Sequence, residues 1–279
     1  MIQTVLKTGR KILKSKPAVF GMAGLLFMLT MALFPQFFTD SDPYKMKFER
    51  IVAPCRQHPF GTDDMGRDIY TRVVYGARVS LFAGVTTTTI ALSIGTLLGM
   101  LAGFFGKITD EVIMRISDIF LGFPPLIMAM AIVVMVGQSI TNAMIAIGIV
   151  WWPQYARLVR VGVASTKERE FVEAARSYGA RSFRVLLKHI LPQNVSVILV
   201  KATVDVGFSI LFIAALSFLG LGARPPLPEW GILITQGRSY LMDAWWISTF
   251  PGIAVGLTVL WLNLVGDWLR DLLDPTITL

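Results

Sequence analysis

Long uncharged stretches alternate with short charged ones along this chain. Pro17 to Thr39 holds no charged residue in 23, Val79 to Gly106 none in 28, and Ala244 to Gly266 none in 23. Ile119 to Ala156 holds none in 38, and the polar run Gly137-Gln138-Ser139-Ile140-Thr141-Asn142 divides it in two. Ser196 to Leu219 is apolar apart from Lys201 and Asp205. A helix needs about 20 apolar residues to cover the hydrocarbon core of a bilayer. The pattern therefore predicts an all-α polytopic membrane protein with six transmembrane helices.

Composition agrees. Of 279 residues 54% are hydrophobic and only 16% charged, against about 25% charged in a soluble domain. A chain this apolar cannot wet its own surface, which excludes a soluble enzyme and a disordered protein. With Cys55 as the only cysteine, it is no disulfide scaffold. The net charge of +8 sits in blocks between apolar runs, as in membrane proteins, and no basic polar domain exists to hold nucleic acid.

Those blocks set the expected orientation. Lys7, Arg10, Lys11, Lys14 and Lys16 precede the first span with no acid among them, so the N-terminus is expected in the cytoplasm. No small-residue cleavage site follows that span, which reads as an uncleaved helix rather than a signal peptide. Six spans return the C-terminus to the cytoplasm. The loop Arg157 to Lys188, with eight basic and three acidic residues, also faces in. Loop 1, Asp40 to Arg78, then lies outside despite seven basic residues.

Inside the spans, Gly95, Gly99 and Gly103 lie four apart on one helix face, where small residues let another backbone approach. The neighbour is either this chain or a partner subunit. Pro124-Pro125 and Trp151-Trp152-Pro153 interrupt two further spans, as an ordinary kink or beside a water-filled path. Lys201 and Asp205 are spaced i,i+4. Intramembrane charges pair or line a cavity, so Asp205 either neutralises Lys201 or borders a pathway. Ser209 and Phe212 continue that helix and join them as candidate pathway residues.

The loop Arg157 to Gln193 reads as a helical hairpin. Ser165-x-x-Glu168 has the form of a capping box, which predicts a helix start there with Phe171, Ala175 and Tyr178 on one face. Gly179 is placed to end that helix. Phe183, Leu186, Leu187 and Ile190 are spaced as the apolar face of a second helix, which Pro192 is expected to stop. The hairpin either lies on lipid or docks a soluble protein. Glu168, Glu170 and Glu173 suit a protein better than an anionic leaflet.

Glu173-Ala174-Ala175-x3-Gly179 followed by Leu191-Pro192 resembles the EAA loop of ABC-importer permeases. His189-Ile190-Leu191-Pro192 is similar to the form found in the peptide/nickel branch. Four further stretches resemble that branch in the same order: Phe60 to Asp68 (FGTDDMGRD), Leu216 to Gly222 (LSFLGLG), Pro225 to Gly231 (PPLPEWG) and Asn263 to Pro275 (NLVGDWLRDLLDP). The resemblance implies the type I permease fold and a C-type transmembrane subunit of an ATP-driven importer in the bacterial inner membrane. It divides the chain into a tail, first helix and extracytoplasmic loop at 1–58 and a core permease domain at 59–279, with the coupling loop at 157–193. It gives Glu173, Ala174, Ala175, Gly179, Leu191 and Pro192 the coupling role. It implies a second permease subunit, two ATPase subunits and an extracytoplasmic substrate-binding protein as partners. Peptides are the implied cargo, with nickel chelates or other small solutes as the alternative. Members of the branch often carry an acid just before the Leu-Ser-Phe-Leu-Gly run. Here Leu211 to Ala215 is apolar, which leaves Asp205 as the acid of that span.

No phosphate-cradling Gly-x4-Gly-Lys-Ser/Thr is present, so ATP and magnesium belong to the partner subunits and no cofactor is expected in this chain. The two histidines, His58 and His189, fall on opposite sides of the expected topology and cannot share a metal. A secondary transporter would carry more intramembrane ionisable groups or an internal repeat. A membrane enzyme would cluster a nucleophile, base or metal set near the interface. Neither pattern is found.

Overall fold

The computed structural model describes residues 15–273. The basic residues Lys7, Arg10, Lys11 and Lys14 and the motif end Asp274-Pro275 lie outside the described residues. Regular structure among the described residues is helical: α1 (Lys16–Leu33), α2 (Ile69–Phe105), α3 (Lys107–Leu121), α4 (Pro125–Val136), α5 (Ile140–Lys167), α6 (Glu170–Ser177), α7 (Ser182–Phe218), α8 (Trp230–Gly237) and α9 (Trp246–Leu273).

Four of these, α1, α2, α7 and α9, are long and apolar enough to cross a membrane, or five if α3 and α4 count as one bent span. The charge-free run from Ile119 is broken near its start, where Pro124-Pro125 was expected to interrupt it. The chain turns by 90° between α3 and α4, where Gly122 ends one helix and Pro124-Pro125 starts the next. Proline suits a helix start because its missing N–H has no partner there. The second half of the run is α5, whose 28 residues reach about 42 Å at the usual helical rise. About half of it is buried against its neighbours.

Helix α2 is the spine. Three buried apolar clusters lie along it: one with α1, α8 and α9 near its start, one with α4, α5 and the end of α7 at its middle, and one with α5, α6 and the start of α7 at its end. The α2–α5 seam is made by Gly95, Gly99 and Gly103, which face the backbone oxygens of Trp152, Ala156 and Arg160 of the same chain. Any Cβ there would meet backbone at 2.4 to 2.7 Å, so the seam closes only with glycine. Gly24 of α1 likewise sits on the Trp261 indole of α9.

Two expectations for the hairpin at 157–193 are corrected. Ser165 does not cap a new helix: α5 continues through Lys167 and Glu168 is its C-cap. The next helix starts at Glu170 after Arg169. Nor does Pro192 stop the second helix. Leu186–Ile190 widens into a π turn, and the helix runs on to Phe218. The wider turn accommodates a proline that offers no N–H to the preceding turn.

Candidate functional site

Three local structures carry the motifs. The first is a clasp at the head of α2. Gly61 and Gly66 adopt φ of +75° and +73°, which lets Phe60 to Asp68 fold back on itself. Asp63 Oδ1 accepts the backbone N–H groups of Met65 and Arg67, both at 2.9 Å. Its Oδ2 accepts Arg67 Nε at 2.7 Å and Arg72 Nη1 at 2.8 Å, and all three side chains are buried. Asp68 caps α2 through the N–H and hydroxyl of Thr71 and lies 2.9 Å from His58 Nδ1. Two of the basic residues of loop 1 are thus drawn inside the fold onto one shared carboxylate. Their charge answers a buried carboxylate, which sequence counting could not separate from charge that reports a side of the membrane.

The Pro225 to Gly231 stretch holds α8 against the same region. Glu229 is fully buried and caps α8 by accepting the N–H groups of Gly231 at 2.8 Å and Ile232 at 3.0 Å. Burial pushes its carboxyl up from the usual range, and these N–H groups and the Ser217 hydroxyl partly offset that. The Trp230 indole N–H donates to the Val73 carbonyl at 3.0 Å, and its ring packs on Gly76.

The second structure is a knob at the opposite end of α2. Helix α6 is joined to α5 by two residues and ends in a Schellman motif. Gly179 has φ +80°, its N–H donates to the Arg176 carbonyl, and that of Ala180 donates to the Ala175 carbonyl. The expected face of Phe171, Ala175 and Tyr178 is not the buried one. Val172 is the buried residue of α6, clustered with Val185, Leu186 and Ile190 of α7 and with Met100 and Phe104 of α2. Phe171 is exposed and Tyr178 is 92% exposed. On the second helix Phe183 and Leu187 are exposed too. Glu173, Ala174 and Gly179 lie on the open surface, Ala175 is half-buried, and Leu191 and Pro192 follow the π turn, half-buried and exposed. The knob is therefore anchored by a small apolar base and presents acids, bases and three aromatics outward.

The third is a groove between α5, α7 and α9. Asp205, 7% exposed, forms an ion pair with Lys201 at 3.0 Å. Lys201 Nζ also donates to Gln154 Oε1 at 3.1 Å and lies 5.1 Å from the centre of the Tyr155 ring. An intramembrane charge costs about 2.5–3.5 kcal/mol on insertion scales, and this triple coordination offsets much of that. Lys201, Asp205 and Phe212 line a cavity of about 490 Å³. Ser209 does not: it is buried on another face, with its hydroxyl 2.9 Å from that of Thr88 on α2. Gln154, Asp267 and Arg270 line the same cavity and were given no role from sequence. The signals for the last two were their place in the Asn263 to Pro275 stretch and a pair of charges three apart just beyond the charge-free run ending at Gly266. His58 and His189 lie at opposite ends of α2, in the clasp and in the π turn.

Comparison with known proteins accounts for this arrangement. A family model described as the binding-protein-dependent transport system inner membrane component matches residues 95–279. A second, described as the N-terminal TM domain of oligopeptide transport permease C, matches residues 7–59. The chain is 45% identical to the dipeptide transport system permease protein DppC of Alkalihalophilus pseudofirmus, over 95% of this chain and 88% of that protein. It is 41% identical to the probable D,D-dipeptide transport system permease protein DdpC of Escherichia coli, over 95% and 89%. It is 40% identical to the glutathione transport system permease protein GsiD of Pectobacterium atrosepticum, over 95% and 89%. Its fold is similar to that of a chain of the MetNI methionine ABC transporter, with a TM-score of 0.58 at 20% identity, over 72% of this chain and 96% of that one. The chain belongs to the binding-protein-dependent transport system inner membrane components, the multi-pass permeases of ABC importers, in their C-type branch.

Proposed function

We propose that this permease forms half of the translocation pathway of an ATP-driven importer of short peptides, and that the α6 knob couples it to ATP hydrolysis. The observation that carries the coupling is the short connection of the knob to both walls of the groove. On one side two residues join α6 to α5, which supplies Trp151 and Gln154 to the cavity. The other runs through the π turn into α7, which supplies Lys201, Asp205 and Phe212. A push on α6 moves both walls. Glu173, Ala174, Ala175, Gly179, Leu191 and Pro192 are its working residues.

Six spans are the reading of topology: α1, α2, the bent pair α3–α4, α5, α7 and α9, with both termini in the cytoplasm. Residues 1–58 form a tail, anchor helix and outer loop, and 59–279 the permease core. The partners are a second permease, two ATPase subunits that bind ATP and magnesium, a substrate-binding protein and the surrounding lipid. Three relatives of different cargo names, dipeptide, D,D-dipeptide and glutathione, share small peptides, which favours peptides over nickel chelates. The test is purification of the tagged chain, followed by reconstitution with the co-purifying subunits and the binding protein in vesicles. Uptake of dialanine dependent on ATP is expected. A chain that purifies without ATPase subunits, or transports without ATP, would overturn the reading.

A further inference from the structure

The groove holds more charge than the Lys201–Asp205 pair. Gly266 of α9 packs against Val204 of α7, which sets the next turn of α9, with Asp267 and Arg270, level with Lys201 and Asp205. All four charged residues line the one cavity of about 490 Å³. Lys201 and Arg270 also line an adjoining cavity of about 500 Å³ between the same helices, otherwise walled by Leu158, Ser196, Val197, Val200 and Leu273. The groove thus has mostly apolar walls and, at one level, two acids and two bases that sum to zero. Its more buried acid is paired with Lys201 at 3.0 Å but keeps one oxygen, Oδ2, without a hydrogen-bond partner, and that lysine also donates to Gln154 at 3.1 Å.

We propose that these four residues form an exchange station for zwitterions, resting on the reading of peptide cargo given above. A short peptide carries an ammonium at one end and a carboxylate at the other. Its ammonium replaces Lys201 at Asp205 or adds to Asp267, and its carboxylate meets Lys201 or Arg270. Each step trades one ion pair for another, so a charged cargo crosses an apolar wall without an unpaired charge in low dielectric. A net charge of zero also keeps the station from trapping cargo of either sign, since a conducting path must bind weakly enough to release.

The experiment measures ATP-driven uptake of dialanine, dilysine and diglutamate by the reconstituted complex, each at saturating binding protein and each normalised to the unaltered complex. Asp205→Asn with Asp267→Asn leaves two bases in the groove. The dilysine-to-diglutamate ratio should fall by about tenfold, the change that one ion pair of about 1.4 kcal/mol would give. Lys201→Met with Arg270→Met should move the ratio the other way. The exchange Lys201→Asp with Asp205→Lys keeps the sum at zero and should keep the ratio at its original value. A merely structural role lowers all three peptides together. A ratio unchanged in both neutralised variants, or shifted in the exchanged one, overturns the station and leaves the peptide reading standing. Absence of dialanine uptake by the unaltered complex overturns the peptide reading itself and the station with it.

Discussion

At the scale of residues, the fold depends on places where side chains are missing as much as on those present. Gly99 approaches the Ala156 carbonyl so closely that a Cβ would stand 2.5 Å from it. Backbone on both sides cannot step aside as a flexible side chain would. Gly99→Ala should therefore destabilise the protein by about 1–3 kcal/mol, the usual cost of overpacking. Gly256→Ala, on α9 with nothing within 4 Å, should be neutral or slightly stabilising. Thermal unfolding of the detergent-solubilised variants checks both, and equal melting temperatures would remove the α2–α5 seam as a constraint. The spacing of the three glycines was legible in sequence, but their neighbour was not, because a small-residue face fits any close backbone. The role of Ser209 was misjudged for a related reason. Four residues of one helix need not share a face, and Ser209 turns to Thr88 of α2 while Asp205 and Phe212 turn to the groove.

At the scale of elements, sequence located the apolar helices and the Gly179 turn well and the helix ends poorly. Gly179 is legible because a left-handed residue with no Cβ closes a helix in a specific way. Ser165 misled because a serine and a glutamate three residues on can equally sit in the last turn of a longer helix, here α5. Pro192 misled because its cost is local: the Leu186–Ile190 π turn accommodates it and the helix proceeds. A π turn inserts one residue into the helical register, so it fixes how the knob is rotated about the membrane part of α7. Pro192→Ala restores an N–H that favours an ordinary α turn. Helix content should stay the same by circular dichroism and stability should change by less than about 1 kcal/mol, within the range of replacements that keep the fold. Stimulated ATP hydrolysis in the assembled complex should fall several-fold as the knob rotates. Full stimulation would show that the π turn sets nothing about coupling.

At the scale of the whole molecule, the charge pattern that suggested orientation is partly a folding device. Arg67 and Arg72 are bound to Asp63 in the clasp, which leaves the knob loop with the clearer basic excess. With the knob in the cytoplasm, a cysteine at Lys167 should be labelled only from that side, and one at Ser139 and the exposed native Cys55 only from the other. Labelling of position 167 from outside would invert the account. The central claim is that α6 and its glycine turn pass the work of ATP hydrolysis to the groove. Glu173→Lys reverses an exposed charge on α6. Gly179→Pro removes a conformation at φ +80° that proline, fixed near −65°, cannot adopt. The most direct measurement is ATP hydrolysis by the reconstituted complex with and without loaded binding protein. Both variants should insert and stay folded while stimulation falls to near the basal rate. Normal stimulation in both would contradict the claim.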